Sequence, residues 1–227
     1  MAEPAALTIR REFARPAPAL VQRFSGAACG HVVDAMGRRG ALDHRIRCVT
    51  RVASFTGVAL TVRTRERDNL APWAAIRFAR PGDVLVVETG VAVEASVLGD
   101  VLVGIARNAG IVALVTDGLV RDVPGMDAVG IPVFARGVTP NSPHKTGPGW
   151  IGVPITLGGR SVAPGDVVVG DGDGVVVVPQ AELEAVAREL DIVRGKEAQM
   201  DAHVRSGAKE PAWLADAMAK LDVRYLD

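Results

Sequence analysis

Short valine-rich apolar runs, each closed by Gly, Pro or Asp, alternate through the middle of the chain with segments whose apolar residues recur at helical spacing. Strands are expected at 57–63, 83–88, 111–116, 132–135, 151–157, 166–169 and 174–178. Helices are expected at 72–78 and 98–109, the second built on Val101, Leu102, Ile105 and Ala109. Strand, helix and strand at this spacing predict right-handed crossovers with parallel pairing, an α/β fold. Residues 18–40 read as a helical entrance carrying Leu20, Phe24, Val32, Val33 and Met36, with Gly26 and Gly30 as break points. Residues 180–205 form a charged helix whose stripe of Leu183, Val186, Leu190 and Val193 fades after Gly195. A last helical stretch at 207–227 holds Trp213, Leu214, Met218 and Leu221, an excess of apolar surface expected to pack on a neighbouring subunit. One domain spanning 1–227 is therefore expected, with an N-terminal helical segment (1–40), an α/β core (41–179) and a C-terminal helical extension (180–227) at a subunit interface.

Composition narrows the class. At 227 residues, 48% hydrophobic and 23% charged, the chain can bury a sizeable core and is neither disordered nor a disulfide scaffold. Lys plus Arg equals Asp plus Glu at 26 each, so no global basic field recruits nucleic acid or an anionic membrane, and neither is expected as a partner. Cys29 and Cys48 are too few for a disulfide framework, and the first residues lack a secretory pattern, so a cytoplasmic location is expected. No apolar run approaches the roughly 18 residues of a membrane span.

Several motifs fail on their chemistry. Gly147-Pro148-Gly149-Trp150-Ile151-Gly152 satisfies GxGxxG, yet a strand-like run follows where a dinucleotide fingerprint requires a helix. Asp171-Gly172-Asp173-Gly174 begins like a calcium loop, but the obligatory sixth-position Gly is Val176, and a tight hairpin turn is the better reading. The four histidines show no zinc spacing. One stretch stands apart, where strand 111–116 runs into Asp117-Gly118-Leu119-Val120-Arg121-Asp122-Val123-Pro124-Gly125. Open α/β sheets place ligands at the carboxyl ends of strands. Arg121 offers a planar fork for a carboxylate and Asp122 a hard oxygen ligand for a divalent cation. Upstream, Gly99-Asp100 opens a helix whose first amides, from Val101 and Leu102, can hold an anion. The plainer alternative is a solvated Arg121–Asp122 ion pair with Asp100 as a helix cap. A second chemistry rests on Lys145, a loop lysine near the same sheet end, which could form a Schiff base or simply be a surface lysine.

These residues carry a resemblance. Gly99-Asp100, twenty intervening residues and Arg121-Asp122, with Gly130-Ile131-Pro132-Val133-Phe134-Ala135-Arg136-Gly137, Gly172-Asp173-Gly174 leading into Pro179, Asp68-Asn69-Leu70 and Asp34-Ala35-Met36-Gly37, resemble one family across roughly residues 20–205. That family joins the regulator of ribonuclease activity A to the class II 4-hydroxy-4-methyl-2-oxoglutarate and 4-carboxy-4-hydroxy-2-oxoadipate aldolases. The resemblance implies an αββα-type sandwich related to swivelling phosphohistidine domains, assembled as trimers or hexamers. It implies Mg2+ or Mn2+ on Asp122, Arg121 on a keto acid substrate, and the pyruvyl carboxylate against Gly99, Asp100 and the amides of Val101 and Leu102. Asp34 and Glu197 match acidic positions that reach the catalytic water from a neighbouring subunit. The implied activity is cleavage of 4-hydroxy-2-keto diacids to pyruvate and a second keto acid, with oxaloacetate decarboxylation beside it. Its alternative is a non-catalytic regulator that binds a ribonuclease. Two positions depart from the pattern. Gly125 stands where a carboxylate is common, which leaves Asp127 to rebuild the outer metal shell, and Trp73 stands where a histidine is common.

Overall fold

The computed structural model describes residues 5–90 and 94–226. Its elements run β1 (Leu7–Ile9), α1 (Pro18–Gln22), α2 (Cys29–Ala35), β2 (Arg47–Cys48), β3 (Phe55–Thr64), α3 (Leu70–Ala75), β4 (Asp83–Glu88), β5 (Ser96–Leu98), α4 (Asp100–Asn108), β6 (Ala113–Thr116) and β7 (Leu119–Val120). They continue with α5 (Val123–Val129), β8 (Val133–Ala135), β9 (Gly137–Val138), β10 (Gly149–Ile151), β11 (Ile155–Leu157), β12 (Arg160–Val162), β13 (Val167–Asp171), β14 (Gly174–Val178), α6 (Leu183–Arg205) and α7 (Leu214–Ala219). The fold is mixed α/β, with a large sheet and packed helices.

The main sheet runs β1-β10-β3-β4-β6-β8-β2, and β3, β4, β6 and β8 pair in parallel as the crossovers predict. At ten residues, β3 is long enough to share one edge between two antiparallel partners. Val62 to Thr64 pair with β10, while Phe55 to Val58 pair with β13 of the β13–β14 hairpin. That hairpin closes through Asp171 opposite Gly174, the tight turn expected there.

Alternation along the strands sorts the core into two faces. Leu60, Val62, Leu85, Val87 and Leu114 pack with Ala71 of α3, Leu102 and Val103 of α4 and Met126 of α5. Ala59, Val84, Val86, Ala113 and Val115 face the other way, against Phe134 and the β11–β12 hairpin. Because β4 is covered on both sides, its interior reads as an unbroken apolar run rather than an alternating one. A third cluster sets Val167, Val169, Val176 and Val178 against α2 and the first turns of α6.

Three expectations change. The helix at 18–40 is two short helices, because Gly26 adopts φ +64° and turns the chain between them. The strand at 151–157 is split at Gly152 (φ +70°), so that Ile151 and Ile155 belong to different sheets. Among the described residues six strands of two or three residues, too short to show alternation, lie outside the expected set: β1, β2 and β12, with β5, β7 and β9, which form a separate parallel sheet. Beyond Leu190, α6 has no buried residue, and α7 has none at all. Residue 227 of the last expected helix lies outside the described residues. Among the described residues no helix is long and apolar enough to cross a membrane.

Candidate functional site

The small sheet builds the cleft. Leu98 of β5 lies opposite Val120 of β7, so the next residue of each strand, Gly99 and Arg121, leaves at the same edge. Arg121 N–H donates to the Leu98 carbonyl at 3.1 Å and locks the two exits together. Gly99 is the N-cap of α4 and Asp122 the N-cap of α5, so two helix N-termini start side by side. Asp122 takes φ +61°, a left-handed conformation that Asp tolerates better than most residues. The first residues of α4 line one small space beside the Asp122 cap, and this positive helix end favours anions and carboxylates there.

Within it, Arg121 Nε lies 3.0 Å from Asp122 Oδ2, with the two side chains 38% and 43% exposed. Arg121 Nη1 donates to Ser142 Oγ at 2.6 Å. A Cβ on Gly99 would stand 3.0 Å from Asp122 Oδ2 and 3.4 Å from Arg121 Nε, so the missing side chain is what lets the pair lie over the start of α4. Val101 N–H is not free as expected, since it donates to Asp100 Oδ1 at 2.7 Å. Leu102 N–H remains, since it is among the first amides of α4, which have no acceptor inside the helix, and no acceptor for it is found among the described residues.

Gly125 explains its own departure from the family pattern. A Cβ there would penetrate the Asp100 carboxylate, so Asp100 occupies the volume that a side chain at 125 would need. Asp127 does not rebuild the shell: it accepts from Arg51 N–H at 2.8 Å and lies outside the cleft. The acidic group beside Asp122 is thus Asp100.

Gly99, Asp100, Val101, Leu102, Arg121 and Asp122 together line a cavity of about 100 Å³, closed by Asn69, Trp73, Ser96, Leu98, Ser142, Pro143 and Lys145. Reasoning from sequence gave no role to Ser142, Asn69 or Ser96; the run Asn141-Ser142-Pro143 is the one signal that a shaped loop lies there. That loop is tied down by buried Asp68, whose Oδ2 accepts from Thr146 N–H at 2.6 Å, Gly147 N–H at 3.0 Å and the Thr146 hydroxyl at 3.1 Å. Its Oδ1 accepts from Leu70 N–H at 2.9 Å. Burial pushes this carboxyl up, but the hydrogen bonds outweigh burial and hold it below the usual carboxylate range.

Two placements differ from the linear reading. The end of strand 111–116 leads not to Arg121 but to Asp117, which lines a different cavity with Asp43, Arg45, Glu88 and Arg136; the cleft lies one strand later, at the end of β7. Asp34 and Glu197 do come together, in a groove of about 390 Å³ between α2 and α6 with Gly37, Arg38, Val193 and Lys196. Neither reaches the Arg121 cleft within one chain.

The fold is thus a mixed α/β domain with an Arg–Asp couple lying over the glycine-capped start of α4. Residues 29–177 match the RraA-like family, described as Aldolase/RraA, and the chain belongs to it. It is 36% identical over 177 residues, 78% of this chain and 82% of the relative, to a Halalkalibacterium halodurans protein named "Putative 4-hydroxy-4-methyl-2-oxoglutarate aldolase". Similar solved structures include RraAS2 of Streptomyces coelicolor, an unusual member of the RNase ES inhibitor RraA protein family (30% identity, TM-score 0.72, covering 83% of this chain and 99% of that one). The RNA-processing inhibitor RraA from Thermus thermophilis is also similar (29% identity, TM-score 0.63, covering 67% and 93%).

Proposed function

We propose that the chain is a divalent-metal-dependent lyase that cleaves 4-hydroxy-2-keto diacids of the 4-hydroxy-4-methyl-2-oxoglutarate type to pyruvate and a second keto acid. The observation that carries this reading is the Arg121–Asp122 couple lying over the glycine-capped start of α4. The donor set fits a hard cation. Asp122 supplies a carboxylate and Asp100 a second one against side-chain-free Gly125, while among the described residues no group of three His, Cys, Asp or Glu converges. Such an open, oxygen-only site leaves positions for water and substrate, as magnesium and manganese prefer. The ion would supply Lewis-acid polarisation of the substrate's keto group.

The chain's own residues do the rest. Leu102 N–H and the α4 N-terminus hold the pyruvyl carboxylate. Arg121, steadied by Ser142, sets fixed positive charge beside the enolate oxygen that develops as the C3–C4 bond breaks. The C4 hydroxyl proton needs a base, and Asp34 and Glu197 are the acidic pair assigned to hold that water. Because the pair lies apart from Arg121 within one chain, this reading needs a neighbouring subunit to bring it to the cleft, in the trimer or pair of trimers that the resemblance implies. Loss of CO2 from oxaloacetate yields the same enolate, so decarboxylation belongs to the same site. The test is pyruvate release from a panel of 4-hydroxy-2-keto acids and oxaloacetate, with and without chelator; full activity in demetallated protein overturns the reading.

A second reading is a non-catalytic regulator of a ribonuclease. Likeness to the two RraA proteins supports it, as does the exposed apolar tail carrying Trp213, Leu221, Tyr225 and Leu226. Saturable inhibition of a ribonuclease, with no pyruvate formed from any member of the panel, would favour it.

A further inference from the structure

The N-terminal arm is seated on a track of glycines. Strand β1 pairs in parallel with β10, Leu7 opposite Gly149 and Ile9 opposite Ile151. Gly149 N–H donates to the Ala6 carbonyl and Arg10 N–H to the Ile151 carbonyl, each at 3.0 Å. Gly147, Gly152 and Gly165 adopt positive φ, +75°, +70° and +96°. A Cβ on them would penetrate the carbonyl oxygens of Ala6, Arg10 and Ala14 respectively. The three seats therefore recur every fourth residue along the arm, and only a residue without Cβ leaves room for each. Two of them belong to the run 147–152 that satisfies GxGxxG without opening a helix, so those glycines serve the arm.

At the far end, Arg15 grips Asp83, the first residue of β4, through Nη1 at 2.8 Å and Nη2 at 3.0 Å. The two side chains are 15% and 3% exposed, a bidentate pair largely out of water. The whole arm precedes residue 29, where the match to the RraA-like family begins.

What the arm grips is one end of the cleft loop. Gly147 packs under the Ala6 carbonyl, and its N–H and that of Thr146 bind Asp68. Earlier in the same loop, Ser142 accepts from Arg121 Nη1 and Lys145 lines the cleft. The other end is held to β5, where Ser96 N–H and its hydroxyl donate to the Asn141 carbonyl at 3.0 and 2.8 Å. Asp68 holds the Gly147 end by hydrogen bonds, and the arm holds it by filling the space over the glycine.

We propose that the N-terminal arm, residues 6–15, is a positioning element of the Arg121 cleft, acting on Gly147 and Gly149 and through them on the loop that carries Ser142. The role rests on the reading of Arg121 as the group beside the developing enolate. Release of the arm then loosens Ser142, which costs Arg121 its transition-state geometry more than it weakens ground-state binding.

Gly152→Ala and Gly165→Ala unseat the arm from positions outside the cleft. Gly159→Ala is the control, with a similar left-handed backbone (φ +76°) and nothing within 4 Å of the added Cβ. Trypsin cleavage after Arg11 reads the release, and should be about tenfold faster in the two arm variants than in wild type or control. Hydrogen exchange at Thr146 and Gly147, measured without substrate, should rise about tenfold with it. In turnover, kcat for pyruvate release should fall about tenfold while KM changes by less than about twofold. Arg10→Pro removes the N–H that reaches Ile151, and gives the same three readings if the alanine variants do not fold. A released arm with wild-type exchange and kcat overturns the proposal, as does an equal loss in Gly159→Ala or the absence of release in every variant. Exchange that rises with release, in a protein that forms no pyruvate from any substrate of the panel, removes the lyase reading and keeps the arm as the support of the loop. Pyruvate formed at an unchanged kcat after release keeps the lyase and removes the arm from its mechanism.

Discussion

The Arg121 cleft and the Asp34–Glu197 groove are built on opposite principles. In the cleft, a strand register fixes the backbone of Arg121, a glycine makes room for its side chain, and Ser142 holds its far end. In the groove, Asp34 and Glu197 sit on two helices with Arg38 and Lys196 nearby, and among the described residues no hydrogen bond or ion pair holds either carboxylate. Helix α6 has by then lost its buried stripe, so nothing beneath Glu197 anchors it. Groups that must meet a substrate within tenths of an ångström need such support, and the cleft has it in one chain. The groove lacks it within one chain.

The largest effect that sharpens this contrast is expected from Asp122→Asn. Asn keeps the tolerance for the left-handed backbone at this position while losing the anionic ligand. Metal-dependent pyruvate release should fall by about 10³-fold or more, with thermal stability changed by less than ~1 kcal/mol. An unfolded variant would make Asp122 a structural residue and remove the cleft from consideration. Arg121→Lys should follow at about 10²-fold, since an ammonium cannot contact Ser142 and the substrate in one plane. Near-normal kcat/KM there would mean that Arg121 only tunes the local field.

Gly125→Ala probes the supporting shell. The added methyl meets the Asp100 carboxylate, which must rotate away, so the apparent magnesium affinity should weaken by about tenfold. Metal titration by calorimetry reads this without substrate. Unchanged affinity would mean that Asp100 serves only the first turn of α4, through its bond from Val101 N–H.

Why these contacts escape the linear reading follows from their physics. The parallel core strands announce themselves because β4 and its neighbours are buried on both faces and read as apolar runs. Arg121, Asp122 and Gly99 stand out as residue types whose chemistry fits a keto acid. Their mutual geometry depends on β5 and β7, strands of three and two residues that no periodicity can reveal. The buried Asn69 Oδ1 and Trp73 Nε1, without a partner among the described residues, are equally silent, because an unmet hydrogen bond is a property of packing. The exchange of Asp100 for a side chain at 125 needs three dimensions to be seen at all.

The groove can be tested by complementation. Asp122→Ala and Glu197→Ala chains, each inactive alone, are mixed after dissociation and reassembled. Random association leaves about a quarter of the shared sites with both groups intact, so activity should recover toward that fraction. No recovery in verified mixed oligomers would place both groups in one chain or remove Glu197 from the reaction.

The smallest effect concerns the loop that closes the cleft. Asp68 ties Thr146, Gly147 and Leu70 together, and Asp68→Asn weakens these charge-assisted bonds at a cost of about 1–3 kcal/mol. The sign of the pH dependence follows from the lowered carboxyl. The unfolded chain, with an ordinary Asp value of about 3.9, takes up the proton first as pH falls. The stability from Asp68 is therefore complete above that value and drains away as pH drops through the folded-state value. The gap in Tm between wild type and Asp68→Asn should be widest near neutral pH and narrow below about pH 4. Glu197→Gln, on the unanchored side, should leave Tm unchanged across the same range, apart from any shift that follows protein concentration. A wide gap for Glu197→Gln in the isolated subunit would show that the groove is held within one chain after all, and the contrast between the two regions would fall.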